Sequence, residues 1–259
     1  MQISFLTQID TWQLMLILMA LMIVSILIGL YTGNKFYKES KVDSTILGAL
    51  FTLLGLILAF TFSMAIEYHG IRKDIIVEEA NDIGTAILRA DLYRENDRNL
   101  FREDFRKYVD ARVDYFTAGA DLEKITAAQK LSANIQQQLW TRASLLSKDS
   151  GYTIASMQMI PALNSMIDIT TTRQYGELVH LPDTIIYLLF LLCGVCSFYI
   201  GYMFGGKKKF DWLIAVVFCL LTSMVVFVIF DLDRPRRGFI KFDQMNNAIV
   251  ELKQMFPEK

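Results

Sequence analysis

Four uncharged apolar runs, residues 14–30, 46–66, 184–204 and 212–230, constrain this chain more than any other feature. None of them contains Lys, Arg, Asp, Glu or His. Each is close to the roughly 20 residues with which a helix crosses about 30 Å of hydrocarbon. Lipid offers no water to a backbone N–H or C=O, so a spanning segment must pair these groups internally as a helix. The runs predict an all-α membrane protein with four transmembrane helices and the lipid bilayer as its surroundings. The first run exceeds a signal-peptide apolar core, and Tyr31-Thr32-Gly33-Asn34-Lys35 is a poor cleavage site, so this run is expected to remain as a span.

Basic and acidic residues nearly balance, leaving a formal net charge of −1, and no global field points to nucleic acid. That balance averages the uncharged runs with a central segment rich in both signs. The three cysteines, Cys193, Cys196 and Cys219, all fall inside predicted spans. Cys193 and Cys196 have the CxxC spacing of metal or redox sites. With no charged residue or His beside them in the sequence, they read as small apolar packing residues.

The chain divides into residues 1–66 with helices 1 and 2, an extramembrane domain over 67–182, residues 183–231 with helices 3 and 4, and a tail over 232–259. Nothing in Phe62-Ser63-Met64-Ala65-Ile66 stops the second helix, so it is expected to continue into a helical bundle inserted between helices 2 and 3. Ile76, Ala80, Ile83 and Ile87 form one helical stripe. Phe101, Phe105, Tyr108, Val109 and Phe116 belong to a second. Leu122, Ile125, Leu131, Ile135, Leu139 and Leu146 outline a third. Met157, Ile160, Leu163, Ile167 and Ile169 outline a fourth, with Pro161 as the place for a kink. Asn96 and Asp97 suit an N-cap, Gly119 and Ser150-Gly151 suit breaks, and Pro182 suits the start of the third span. The tail is amphipathic enough to dock on the bundle or on the membrane surface.

Four crossings put the domain and both termini on one side and the linkers 34–44 and 205–211 on the other. Each linker carries three lysines, and the positive-inside rule, strongest for short loops, makes the linkers cytoplasmic. The domain and termini then face the periplasm from a bacterial inner membrane. Arg72, Lys73, Arg234, Arg236, Arg237 and Lys241 crowd the domain side and oppose that count.

The domain-side boundary gathers Glu67 and His69 from the second helix, Glu177, His180 and Asp183 at the third, and Asp231, Asp233, Arg234, Arg236 and Arg237 at the fourth. The set reads either as a charged vestibule or cation-binding clasp, or as ordinary interfacial charge with snorkelling arginines. Carboxylates suit hard cations and His suits transition metals. No HExxH or EF-hand spacing occurs, so no metal is assigned; a divalent cation near Asp231 and Asp233 is the one cofactor considered. On the soluble part of the second helix, Asp74, Glu78, Asn81, Thr85 and Arg89 lie near one face. That face reads as an ion route, a solvated surface, or a seam with Asn164, Asp168 and Arg173.

Within the second span, Gly48, Thr52, Gly55, Ala59 and Ser63 make a small-residue face that permits close helix packing. Leu54, Leu58 and Phe62 lie elsewhere on it. If copies of this helix surround an axis, their rings would form a constriction that gates by dewetting; otherwise they meet lipid or a neighbouring helix. Gly194, Ser197, Gly201 and Gly205 form a second small face on the third span. No ionisable residue lies deep in any span, which argues against a proton relay or a voltage sensor. With no P-loop, nucleophile elbow, dinucleotide fingerprint or triad, no enzyme is expected.

Leu53-Leu54-Gly55-Leu56-Ile57-Leu58-Ala59-Phe60-Thr61-Phe62 leads into Val77-Glu78-Glu79-Ala80-Asn81-Asp82-Ile83-Gly84-Thr85. Later come Leu163-Asn164-Ser165-Met166-Ile167-Asp168, Arg173, His180-Leu181-Pro182 and Asp231-Leu232-Asp233-Arg234-Pro235-Arg236-Arg237-Gly238. These segments resemble the bestrophin-like domain family of bacterial membrane proteins, distantly similar to the bestrophin ion channels. The resemblance implies a homo-oligomer, a pentamer by analogy, that conducts ions passively. It implies a neck on the second helix at Leu54, Leu58 and Phe62, and a calcium clasp at Asp231 and Asp233. The acidic run here is short and interleaved with arginines, and bestrophins hold their domain in the cytosol. The expected function is an ion pore, anion over cation because Arg234, Arg236 and Arg237 stand at its mouth. The alternative is a non-conducting scaffold or sensor whose domain binds a partner or ligand.

Overall fold

The computed structural model describes residues 9–36, 44–205, 211–240 and 242–256. Lys38, Lys41, Lys207, Lys208, Lys209 and Lys241, on which much of the orientation argument rests, lie outside the described residues. The described elements are all helical: α1 (Thr11–Phe36), α2 (Ser44–Arg89), α3 (Glu95–Thr117), α4 (Leu122–Leu146), α5 (Thr153–Leu178), α6 (Asp183–Phe204), α7 (Trp212–Asp233) and α8 (Asp243–Glu251). Four helices among them are long and apolar enough to cross a membrane. The chain forms two units, one from the described residues of Met1–His69 and His180–Ile240, the other from those of Gly70–Val179 and Lys241–Lys259. The 46-residue α2 contributes to both.

The first unit packs α1, α6, α7 and the first part of α2. Leu14, Leu18, Met22 and Ile26 recur every four residues on α1, and this stripe is buried. The other faces carry exposed Leu16, Ile17, Val24 and Ile28, as a helix surrounded by hydrocarbon allows. The α1–α6 crossing is backbone against backbone. A Cβ on Gly201 would run into the Ile26 carbonyl, one on Gly205 into Gly33, and one on Gly33 would stand 2.5 Å from the Tyr202 carbonyl oxygen. Small residues let membrane helices approach closely enough for dispersion contacts to hold them. On α6, Gly194 differs, because a Cβ there would lie an ordinary 3.6 Å from Ser25 Oγ. Asp211 caps α7 by accepting from the Leu213 and Ile214 N–H groups at 3.1 and 3.4 Å.

The second unit surrounds Phe101, Phe105 and Tyr108 of α3 with Ile83 and Ile87 of α2, Leu139 of α4 and Leu163 of α5. Gly119, at φ 56°, makes the left-handed turn that ends α3. Asp121 then caps α4 through the Glu123 and Lys124 N–H groups at 3.1 and 3.2 Å. The tail docks on this unit: Phe242 and Ile249 bury against Ile76 and Ala80. α5 continues as one helix past Pro161. Two details differ from the sequence reading. α3 starts at Glu95 after Arg94, so Asn96 and Asp97 lie inside its first turn. Leu122, Leu131 and Met157 are exposed, because their stripes are wider than the buried face.

Replacing Gly201 with Ala should cost about 1–3 kcal/mol by overpacking a crossing that has no room for a methyl group. Gly194→Ala should change little. Thermal unfolding of the detergent-solubilised protein checks the pair, and equal losses would show that the crossing is looser than described.

Candidate functional site

The first part of α2 presents two unlike faces in the first unit. Leu54, Thr61 and Ala65 are buried, with Leu54 only 3% exposed, and Leu58 packs half-buried beside them. The α2 side of this contact continues in an edge-to-face Phe51–Phe218 pair, ring centres 5.4 Å apart. The Thr61 hydroxyl donates to the Ile57 carbonyl at 2.7 Å, so its polarity is satisfied within the helix. The opposite face carries Gly48, Thr52, Gly55, Ala59, Phe62, Ser63 and Ile66, all exposed. A Cβ on Gly48 or Gly55 would meet no atom within 4 Å. Leu54, Leu58 and Phe62 therefore do not share a face: Leu54 turns into its own unit, Leu58 lies at the margin, and Phe62 stands outside at 37% exposure. The small residues of α6 behave differently, since Gly201 and Gly205 are closed by α1.

At the far end of α7, part of the expected set has partners: His180, Asp231, Asp233, Arg234 and Arg237. Asp231 accepts from the Phe239 and Ile240 N–H groups, each at 2.7 Å. Asp233 accepts the Leu181 N–H at 3.0 Å, and its Oδ2 lies 3.5 Å from His180 Nδ1. That ring nitrogen also lies 3.0 Å from the Asp233 carbonyl oxygen. Arg234, 6% exposed, donates to the Ile9 carbonyl. Arg237 stands 3.8 Å from Asp10. Glu67 is exposed and His69 half-buried. Among the described residues, no group of three His, Cys, Asp or Glu side chains is placed to hold a metal.

In the second unit, Asp74, Glu78 and Asn81 are exposed on α2, and Arg89 is turned to Gln158. The Asp82 carboxyl is pushed up by burial and by the neighbouring Glu78 charge. Asn164 and Asp168 are exposed, whereas Arg173 is buried and points to a residue the sequence reading did not single out. That residue is Glu79. One of its oxygens accepts from Arg112 Nε at 2.5 Å and the other from Arg173. Glu79 and Arg112 are fully buried and Arg173 is 4% exposed. Tyr115 lies over the Arg112 guanidinium at 4.4 Å and donates its hydroxyl to Glu177 at 3.0 Å. Arg173 also donates to Asn246 of α8 at 2.8 Å. The cluster therefore joins α2, α3, α5 and α8. Glu79 lies three residues after Ile76 and four before Ile83, inside the apolar stripe of α2. That position was the sequence signal for a buried charge with partners.

Residues 16–243 match the Bestrophin-like domain, and the protein belongs to that family. A tryptophan-to-alanine variant of a bacterial bestrophin homologue from Klebsiella pneumoniae matches with a TM-score of 0.65 at 11% identity, over 94% of this chain and 98% of that one. A tyrosine-to-alanine variant of the Klebsiella pneumoniae homologue gives 0.61 at 11% identity, over 93% and 97%. A membrane protein with a serine-to-alanine substitution gives 0.61 at 12% identity, over 95% and 97%. No curated protein matches the chain. At these identities the shared property is the fold. With the four apolar helices, it makes this an all-helical membrane protein of bestrophin-like architecture.

Burial alone would raise the Glu79 pKa, but the charges of Arg112 and Arg173 and the hydrogen bonds they donate hold it below the ordinary value of 4.5. The stabilisation is present above that ordinary value and is lost as pH falls through the depressed one. Glu79→Gln should cost about 3–5 kcal/mol at neutral pH, because buried Arg112 loses its counter-ion and buried Arg173 keeps only Glu177, 3.6 Å away. The gap between wild type and variant should narrow in acid. Chemical denaturation across pH checks this, and a gap that stays constant would remove the ionic contribution.

Proposed function

We propose that the protein is a subunit of a passive ion channel in which copies of α2 surround the conduction path. The observation that carries this reading is the exposed face of α2. Its span has no ionisable group, Leu54, Thr61 and Ala65 bury one side, and the exposed remainder carries small and hydroxylated residues next to Phe62 and Ile66, with exposed Leu53, Leu56 and Phe60 beyond them. A ring of such faces would enclose a path, with Phe62 and Ile66 as the bulky apolar constriction that gates by dewetting. Thr52 and Ser63 would supply the hydroxyls along it. The family and its Klebsiella pneumoniae homologue support a bestrophin-like channel as the class. A homo-oligomer follows because a single α2 cannot enclose a path, and a pentamer follows by analogy.

The reading takes the second unit as the extramembrane domain, inserted between spans two and three. The lysine count puts that unit and both termini in the periplasm, with the spans in a bacterial inner membrane. Anion preference rests on Arg236 and Arg237, because Arg234 is buried and committed to Ile9. The scaffold or sensor reading draws on exposed Leu88, Leu92, Ile154 and Met157 of the second unit, which would suit a partner.

Flux from liposomes carrying the purified protein, with chloride and potassium gradients imposed separately, tests conduction and its sign. Selective chloride flux is the expected result. No flux from verified oligomer would favour the scaffold. In planar bilayers, Phe62→Ala should raise single-channel conductance. Leu54→Ala should instead cost about 2–5 kcal/mol of stability through a core cavity. An unchanged current in Phe62→Ala would take Phe62 out of the path.

A further inference from the structure

The resemblance implies a calcium clasp at Asp231 and Asp233, and the turn at the end of α7 does not fit one. Calcium takes six to eight oxygen ligands at about 2.3–2.6 Å, several of them carboxylate. Asp231 is 2% exposed, and both of its oxygens accept backbone N–H groups of residues 239 and 240 at 2.7 Å. Asp233 accepts the Leu181 N–H at 3.0 Å and sits against His180. The returning chain is pressed onto these groups, since a Cβ on Gly238 would stand 2.7 Å from the Asp231 carbonyl oxygen and 3.0 Å from its Oδ1. Positive charge is already built in: Arg234 is buried in the same turn and ties it to Ile9, and Arg237 faces Asp10.

We propose that this turn is closed by the chain's own N–H donors and arginines in place of a divalent cation, with Asp231 as the positioning residue for residues 238–240. The protein then binds no calcium there, and the turn keeps its conformation at any calcium concentration. An acidic run that looks like a metal site is, in this chain, a backbone cap. Two buried carboxylates stabilised by charge-assisted hydrogen bonds need no further cation.

The test uses the intact wild-type protein in detergent, freed of calcium with a chelator. Titration calorimetry with calcium chloride should give no saturable heat, and the thermal midpoint should be the same in millimolar calcium and in chelator. Asp231→Asn should lower the midpoint equally in both conditions, because the amide sets N–H against N–H at one oxygen position. Gly238→Ala, which leaves the carboxylate intact, should do the same by crowding the turn. Saturable calcium binding with a raised midpoint that Asp231→Asn abolishes would overturn the proposal. An unchanged midpoint in both variants would overturn the positioning role. Neither readout depends on ion flux, so failure here is separate from failure of the channel reading.

Discussion

A peptide group in hydrocarbon has no water to bond to, and the first unit is organised around that constraint. It makes all four spans helical and removes the hydrophobic drive that would press one helix onto another. What remains to hold them is close contact, and close contact needs the absence of side chains. α1 and α6 meet at Gly29, Gly33, Gly201 and Gly205. The buried stripe of α1 and the Phe51–Phe218 pair then gather α2 and α7.

The second unit solves a different problem. It has an ordinary apolar core, and it buries one carboxylate between two guanidinium groups beside that core. Such a cluster contributes little net stability against a well-packed apolar alternative, but it penalises any arrangement that separates its members. Glu79 has two oxygens and each has its own arginine. The helices carrying Glu79, Arg112 and Arg173 therefore have one register in which the carboxylate meets both guanidinium groups. The turn after α7 uses the same chemistry on a smaller scale, with backbone N–H groups as the donors.

The four spans and the continuation of α2 beyond the apolar run were legible because both depend on local composition. Unbroken uncharged runs admit one structure in lipid, and no strong breaker follows Ile66. The face of α2 that turns inward was not legible. Leu54 and Phe62 are separated by about 80° around a helix, and both are large and apolar, so only the neighbours decide which is covered. The use of Asp231 was hidden for a related reason: its donors arrive from a chain reversal eight and nine residues on. Glu79 was legible in principle, since a lone acid in the Ile76–Ile83 stripe needs a cation, but its partners lie 33 and 94 residues away.

The second unit is discontinuous in sequence, and this sets an order on how the protein is made. Its last pieces, Asn246 beside Arg173 and Phe256 in the apolar core, follow α6 and α7 in the chain. Synthesis runs from the N-terminus, so α3, α4 and α5 are exposed before the residues that finish their core exist. The ribosome must deliver two further membrane helices in that interval. The core of the second unit therefore cannot be complete until the segment that follows α7 has been made.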